Sequence, residues 1–274
     1  MIASSVELVF SIVAVGTIGW LSFKANLIDR TGFLAATFVG SSILFFGGLK
    51  WFLVLLSFHL TAGLFTKYRY DMKLKIKVAE AKGGARAWQN VLSNGVMASV
   101  LAIYYGLTSG KVFAAGYLGA ISTSLADTLA TEIGLLNLSE PRLITNPRVK
   151  VEAGTSGGLT LLGEIACLSG SALIALVVFI VDFEGLTISQ ILVFNLLVGF
   201  LGCNFDSLLG ATVQATYKCQ VCGTITEKKT HCEQPAKFHK GIKFIDNNVV
   251  NFLSTIVGTL TAILLYTHFP QLQR

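Results

Sequence analysis

Long apolar runs separated by short polar segments dominate the pattern of this chain. Runs of about 17–25 apolar residues are typical of helices that cross a bilayer whose hydrocarbon core is about 30 Å thick. The runs fall at 6–23, 31–48, 50–66, 91–108, 112–130, 158–181, 187–212 and 248–269. They predict an all-α, polytopic bundle of about eight transmembrane helices, which forms a single integral-membrane domain over residues 1–274.

Two details of the first runs bear on this count. The second and third runs are short and are separated only by residues 47–50, so they predict either two tilted helices or a re-entrant hairpin. The first run is not followed by a small-residue cleavage site, and further runs come at once. We therefore interpret it as a retained helix and not as a signal peptide.

Composition supports a membrane protein. Of the 274 residues, 53% are hydrophobic and 13% are charged, and the mean hydropathy is +0.68. A soluble domain of this length is much less apolar. No segment large enough to fold in water remains outside the apolar runs.

The basic residues indicate an orientation. If the basic loop 67–90 is cytoplasmic, eight alternating spans place all but three of the 21 Lys and Arg residues on the cytoplasmic side; the exceptions are Lys50, Lys111 and Arg274. Such a bias follows the positive-inside rule. It predicts a multi-pass protein of the cell membrane with both termini outside and with the loop 213–246 also cytoplasmic.

Asp127 lies inside the fifth apolar run, Glu132 lies just beyond its end, and Asp206 lies inside the seventh. Carboxylates in such surroundings are costly and usually mark a functional site. The predicted topology gathers them at the cytoplasmic ends of their helices, where two or three carboxylates would suit a magnesium ion completed by waters and phosphates. The alternatives are solvated helix ends, or salt bridges to Arg142, Arg148 or Lys150.

Two segments are candidates for binding phosphate. The loop Gly154-Thr155-Ser156-Gly157-Gly158 precedes the sixth run, so its amides would lie at a helix N-terminus that favours an anion. It matches neither common nucleotide-binding glycine motif, and a simple turn and helix cap remain the alternative. Arg86 and Asn90 lie four residues apart on a starting helix and would reach a phosphate, unless this basic loop only contacts anionic lipid.

Cysteines in the last loop indicate a metal site. Cys219 and Cys222, followed by His231 and Cys232, have the spacing of a zinc loop, with His231 or His239 as the fourth ligand. A reducing cytoplasm disfavours a disulfide, and four protein ligands would make the site structural. A chance C-x-x-C is the alternative.

Several of these segments together resemble the integral-membrane family of transmembrane protein 19 and plant phytyl-phosphate kinase, over nearly the whole chain. The matching segments are 126–134, 141–145, 154–158 with Gly163 and Glu164, 206–214 and 247–251. The family is more distantly similar to CTP-dependent dolichol and phytol kinases. The resemblance implies transfer of the terminal phosphoryl group of CTP, or another nucleoside triphosphate, to a polyprenyl monophosphate. The implied partners are that lipid, the nucleotide and the membrane, not nucleic acid, and the oligomeric state is left open.

The residues and the resemblance together define the expected site. The expected catalytic residues are Asp127, Glu132, Asp206 and Lys150, the three acids holding Mg²⁺. The expected nucleotide-binding and phosphate-binding residues are Arg86, Asn90, Thr131, Arg142, Gly154, Thr155, Ser156, Gly157, Glu164, Gln214, Asn247, Asn248 and Asn251. Two other classes stay open. A cytidylyltransferase that forms a CDP-linked lipid would use nearly the same site, whereas a transporter would continue its polar groups toward the bilayer midplane.

Overall fold

A computed structural model describes residues 5–80, 82–269 and 272. Long helices make up most of the fold, and two of the α-helices are short: α4, in the loop after α3, and α8. The helices are α1 (Ser5–Lys24), α2 (Arg30–Gly47), α3 (Leu49–Lys67), α4 (Tyr70–Lys75), α5 (Trp88–Thr108), α6 (Lys111–Gly134), α7 (Leu161–Ile180), α8 (Ile188–Leu192), α9 (Val198–Thr212) and α10 (Asn247–His268). A π-helical turn, Val193–Leu197, joins α8 to α9, so that the two form one rod.

Short strands form three small antiparallel sheets in the loops. The first sheet has the order β2-β1-β3, the second β5-β4-β8, and the third pairs β6 with β7. The strands are β1 (Arg142–Leu143), β2 (Asn146–Lys150), β3 (Gly158–Leu159), β4 (Thr216–Lys218), β5 (Ile225–Thr226), β6 (Thr230–His231), β7 (Gln234–Pro235) and β8 (Lys237–Lys240). All of them lie between α6 and α7 or between α9 and α10.

The predicted all-α, polytopic bundle is confirmed. Among the described residues, seven helices are long and apolar enough to cross a membrane. The second and third runs are two separate helices of 18 and 19 residues, each long and apolar enough to cross a membrane, which favours two spans over the re-entrant hairpin.

The predicted fifth span, α6, is not among those seven. Its 24 residues make it about 36 Å long, but its many Gly, Ala, Ser and Thr residues lower its hydropathy. Helices α3, α5, α7, α9 and α10 pack around it, and most of its side chains are buried. Because other helices and not lipid contact α6, small residues suit its surface better than large apolar ones.

One end of the bundle, which we call the basic end, carries the loops 68–87, 135–160 and 213–246. Helices α1, α3, α6 and α9 end there, and α2, α5, α7 and α10 begin there. Three contacts join these loops and helix ends: Lys73 Nζ to Glu132 Oε2 at 2.6 Å, Lys228 Nζ to the Ala79 carbonyl at 2.8 Å, and Ser156 Oγ to Glu227 Oε1 at 2.8 Å. The side of the membrane that the basic end faces stays a prediction.

Polar side chains also join the helices at the opposite end. Trp51 Nε1 donates to Glu184 Oε1 at 2.9 Å, and the Tyr105 hydroxyl donates to the same carboxylate. Lys50 Nζ donates to the Asp182 carbonyl at 2.5 Å. These contacts tie the start of α3 and the end of α5 to the turn after α7.

Small residues bring α9 and α10 against α6. A Cβ atom at Gly202 of α9 would lie 2.2 Å from Thr123 Oγ1 of α6, and one at Gly258 of α10 would lie at the same distance from the same atom. Glycine is therefore required at both contacts, and Thr123 fills the space between the two helices. This packing sets the spacing of the polar residues at the basic end.

Candidate functional site

Of the three predicted acids, Asp127 on α6 and Asp206 on α9 interact electrostatically across the contact between these helices. Asp206 is buried and accepts a hydrogen bond from Ser254 Oγ at 2.9 Å. The side-chain amide of Asn251, oriented to satisfy its neighbours, donates to Asp206 Oδ2 at 3.3 Å and to the Asn247 carbonyl at 3.0 Å. One face of α10 thus holds Asp206 in place.

Asp127 has a different environment. It is half-buried, and within the described residues no hydrogen bond or ion pair with a side chain or backbone group reaches its carboxylate. It interacts at longer range with Glu227 and Arg86. A carboxylate without a close protein donor, beside a second carboxylate, offers hard oxygen ligands of the kind that a magnesium ion prefers.

A third carboxylate, Glu227, comes from the loop 213–246. It accepts a hydrogen bond from Ser156 Oγ at 2.8 Å, and Gln214 lies beside it. Burial raises the pKa of Glu227 above its ordinary value of 4.5. This acid was not predicted from the sequence, because a single glutamate in a polar loop gives no signal in the hydropathy pattern.

Arg86 supplies positive charge to this group of acids, which we call the acidic cluster (Asp127, Asp206 and Glu227). Burial lowers the pKa of Arg86, while the carboxylates of Glu132, Glu80 and Asp127 oppose that shift. The Arg86 backbone pairs with Leu27 and Asp29 just before α2, and its Nη2 atom donates to Thr66 Oγ1 of α3 at 3.2 Å, so both its backbone and its side chain are held at the bundle.

Glu132 pairs with a cation that the sequence analysis did not select. Lys73 of α4 lies 2.6 Å from Glu132 Oε2, and the side chains are 1% and 12% exposed respectively. Lys73 Nζ also donates to the carbonyl oxygens of Phe65 and Thr66. The magnesium role predicted for Glu132 stays a prediction, and its observed contact is with this ammonium group.

The other predicted cations lie at the surface. Lys150 is exposed and pairs with Glu140 at 3.1 Å, and Arg142 is exposed and donates to the Pro147 carbonyl at 2.7 Å. Thr131 is exposed as well. Neither of these two contacts involves the acidic cluster. The roles predicted for Lys150, Arg142 and Thr131 stay predictions.

The glycine-containing loop docks against α9. A Cβ at Gly157, whose φ is +76°, would lie 2.5 Å from Ala211 Cβ and 2.6 Å from the Ser207 carbonyl. The Gly158 amide donates to the Thr155 carbonyl, and the Thr155 amide donates to Glu152. These two amides are engaged within the loop, while Ser156 contacts the acidic cluster through Glu227. Helix α7, which follows this loop, is capped by Thr160, whose side chain accepts a hydrogen bond from the Gly163 amide.

The remaining predicted residues occupy different positions around the site. Glu164 accepts a hydrogen bond from Asn204 Nδ2 at 3.2 Å, which links α7 to α9. Gly154 lies in an exposed turn, Asn247 is exposed and Asn248 is half-buried. Of the late asparagines, Asn251 is the one that contacts Asp206. Ser254, three residues further along α10, shares its face, so helical periodicity would have found it.

An apolar cavity of about 70 Å³ lies between α1, α2, α3 and α5. Apolar side chains such as Val15, Val39 and Phe52 form most of its wall, and Arg86 and Asn90 line it too. The Asn90 Oδ1 atom is buried, with no hydrogen-bond partner among the described residues. One cavity therefore combines an apolar wall with a cation and an unpaired amide.

The predicted zinc ligands form a separate group in the loop 213–246. Cys219, Cys222, His231 and Cys232 each contribute one ligand atom, and these atoms lie within 4.8 Å of one another. Glu227 lies between Cys222 and His231 in the sequence, so the same loop contributes to both groups.

Comparisons with known proteins place this chain in a family. Protein PGR of Arabidopsis thaliana is 31% identical over 94% of this chain and 96% of its own length. An uncharacterized membrane protein of Methanocaldococcus jannaschii is 28% identical over 95% of both chains. Protein VTE6, chloroplastic, of Arabidopsis thaliana is 24% identical over 87% of this chain and 65% of that protein. No solved structure matches the chain.

The family model described as integral membrane protein DUF92 matches residues 13–259. The matched range includes every helix from α2 to α9, the acidic cluster and the Cys/His group. It also includes the part of α10 that carries Asn251 and Ser254. The chain belongs to the integral membrane protein family DUF92.

Proposed function

We propose that the protein is a membrane-embedded prenyl-phosphate kinase. It would transfer the terminal phosphoryl group of CTP, or another nucleoside triphosphate, to a polyprenyl monophosphate and so form the diphosphate. The observation that carries the proposal is that Arg86 both lines the apolar cavity and interacts with Asp127 of the acidic cluster. A lipid tail and a phosphate group therefore have adjacent binding regions.

The cavity suits the lipid end of such an acceptor. Its volume of about 70 Å³ admits only a short part of a prenyl chain, so the rest of the tail would extend out of the cavity into the surrounding lipid. The guanidinium of Arg86 and the Nδ2 group of Asn90 would donate hydrogen bonds to the monophosphate.

The acidic cluster suits a nucleoside triphosphate bound with Mg²⁺. Asp127 and Asp206, with Glu227 beside them, supply the carboxylate oxygens that this ion prefers. Bound magnesium would neutralise the charge that develops on the phosphate oxygens.

The chemistry requires positioning more than proton transfer. A phosphate oxygen of the acceptor attacks the terminal phosphorus of the triphosphate, and the bond to the bridging oxygen breaks, so that a nucleoside diphosphate leaves. The attacking phosphate is already anionic at neutral pH, so the reaction needs no strong general base. Arg86 would hold the acceptor phosphate against the repulsion of the nucleotide.

Family membership supports the same activity. Similarity to protein VTE6 agrees with the resemblance to the family that includes plant phytyl-phosphate kinase. At 24% identity, this similarity supports the class of reaction and leaves the donor nucleotide and the prenyl chain length to experiment.

Product analysis with two labels tests the proposal. Purified protein in detergent is incubated with Mg²⁺, a prenyl monophosphate and CTP labelled in either the α or the γ phosphate. We expect the γ label in a prenyl diphosphate identified by mass. Transfer of the α label would instead indicate a cytidylyltransferase, and no transfer with CTP, ATP, GTP or UTP would overturn the kinase.

A cavity-filling variant tests where the lipid binds. Val15 is 4% exposed and lines the cavity, whereas Val13 on the same helix is 61% exposed. Val15→Trp should raise the KM for the prenyl monophosphate at least about tenfold, which corresponds to about 1.4 kcal/mol. Val13→Trp should leave it unchanged, and equal behaviour of the two variants would place the lipid elsewhere.

A further inference from the structure

We propose that Cys219, Cys222, His231 and Cys232 bind one zinc ion that fixes the loop 213–246. Cys222 Sγ and Cys232 Sγ each lie close to His231 Nδ1, at 3.5 and 3.4 Å, and the two sulfur atoms lie 3.8 Å apart. With Cys219 Sγ included, all four ligand atoms lie within 4.8 Å of one another.

The separations among Cys222, His231 and Cys232 are those of a tetrahedral zinc site, and Cys219 Sγ lies near enough to complete it with a small shift. Zn–S bonds of about 2.3 Å and Zn–N bonds of about 2.0–2.1 Å place two sulfur ligands about 3.8 Å apart, and a sulfur and a nitrogen ligand about 3.5 Å apart. The spacing does not fit a disulfide, whose sulfur atoms are about 2.05 Å apart. Three cysteines and one histidine form a closed ligand set, which is the pattern of a structural zinc.

The backbone around Cys219 and Cys232 is held in a conformation that brings the ligands together. The Val221 amide donates to Cys219 Sγ at 3.4 Å, and the Gly223 amide donates to the Cys219 carbonyl at 3.1 Å, which forms a tight turn between the first two ligands. Cys232 has a φ of +50°, a conformation that costs energy for a non-glycine residue and persists where the surroundings impose it.

The ligands are arranged so that one ion would fix the segment 223–230. Cys219 and Cys222 precede this segment and His231 and Cys232 follow it, and Glu227 lies at its centre. Lys77 Nζ lies 3.6 Å from Cys232 Sγ, and Lys228 Nζ donates to the Ala79 carbonyl at 2.8 Å, so the loop also contacts the 68–87 loop. The ion would therefore hold Glu227 against Ser156 at the acidic cluster.

Metal analysis of matched histidine variants tests the site. The full-length protein is purified in detergent, dialysed with excess zinc and then without it, and analysed for metal and protein. We expect about one zinc per chain. His231→Ala should lower this ratio at least about fivefold, whereas His239→Ala, which changes an exposed histidine outside the group, should leave it unchanged.

Alkylation of the native protein gives a second measurement that does not depend on a variant folding. Cys222 is exposed, so it should react rapidly with maleimide only after a chelator has removed the zinc. A wild-type protein without zinc, in which Cys222 reacts equally fast with and without chelator, would overturn the site, and so would equal zinc in both histidine variants.

The proposed zinc site and the proposed kinase activity can be overturned independently of each other. The site itself does not depend on the reaction, but the effect on activity through Glu227 rests on the proposed function. A protein that binds zinc and transfers no phosphoryl group would overturn only the kinase. An active protein without zinc would overturn only the metal site.

Discussion

Charged residues at the basic end differ in how clearly the sequence marks them as unusual. Asp127 and Asp206 stand out because acids are rare within apolar runs, and the two interact electrostatically in the structure. Lys73 is one of several cations in a basic loop, so nothing marks it as the residue that is 1% exposed and paired with Glu132. Lys150 was the predicted catalytic cation, yet it lies at the end of the exposed strand β2 and pairs with Glu140. Sequence shows which charges are unusual, whereas tertiary contacts decide which of them pair.

The pair formed by Lys73 and Glu132 should matter strongly for stability. Removing one member of a buried ion pair leaves the other charge uncompensated, at a cost of about 3–5 kcal/mol. Lys73→Met should therefore lower the Tm clearly, and Lys75→Met, at an exposed lysine of the same helix, should not. The double variant Lys73→Met, Glu132→Gln should recover much of the loss. If the double variant were as unstable as Lys73→Met, the charge pair would not be the cause.

Glu227 predicts a pH-dependent effect on stability. Because burial raises its pKa above 4.5, the folded protein binds this proton more tightly than the unfolded chain does. The ionised Glu227 carboxylate therefore destabilises the folded protein. This destabilisation grows as the pH rises from the pKa of Glu227 in the unfolded chain to its pKa in the folded protein, and it is constant at higher pH. Glu227→Gln should raise the Tm at neutral pH and leave it unchanged near pH 4.

The measurement for Glu227 is thermal unfolding without nucleotide or magnesium, across pH 4 to 8. Ser254→Ala serves as a comparison, since it changes a neutral side chain that donates to Asp206, and we expect it to lower the Tm. A Glu227→Gln effect that is the same at all pH values would mean that the carboxylate charge is not responsible.

At the scale of elements, hydropathy located the long helices because the hydrocarbon thickness fixes their length. The predicted runs and the observed helices agree closely, for example 6–23 against Ser5–Lys24 for α1 and 248–269 against Asn247–His268 for α10. The pattern did not reveal that α6 is surrounded by other helices. That property follows from packing contacts such as Gly202 on Thr123, which link residues far apart in the sequence.

The contact between α6 and α9 predicts a pair of glycine variants. Gly202→Val would force a side chain into the space that Thr123 occupies, and such overpacking costs about 1–3 kcal/mol. It should also move Asp206 away from Asp127, so both the Tm and phosphoryl transfer should fall. Gly16→Val on α1, where no atom lies within 4 Å of the added Cβ, should leave both unchanged. Full activity in Gly202→Val would show that the site tolerates a shifted α9.

For the whole molecule, the arrangement of the helices agrees with the charge asymmetry of the sequence. The basic loops share one end, and Lys50 lies at the other, paired with Asp182. We predict that the basic end is cytoplasmic. An epitope tag inserted at Asn146 should bind antibody only after the cells are permeabilised, and a tag at Gly110 should bind it in intact cells. The reverse pattern would place the proposed nucleotide site on the wrong side of the membrane.

The central claim is that Asp127 and the acids beside it form the site of phosphoryl transfer, and one substitution tests it most directly. Asp127→Asn keeps the shape of the side chain and removes the charge, so prenyl diphosphate formation at saturating Mg²⁺ and CTP should fall at least about 100-fold. The Tm should stay equal or rise, because no close donor within the described residues compensates that carboxylate. Asp182→Asn, at the opposite end, should retain wild-type activity. Full activity in Asp127→Asn would contradict the account.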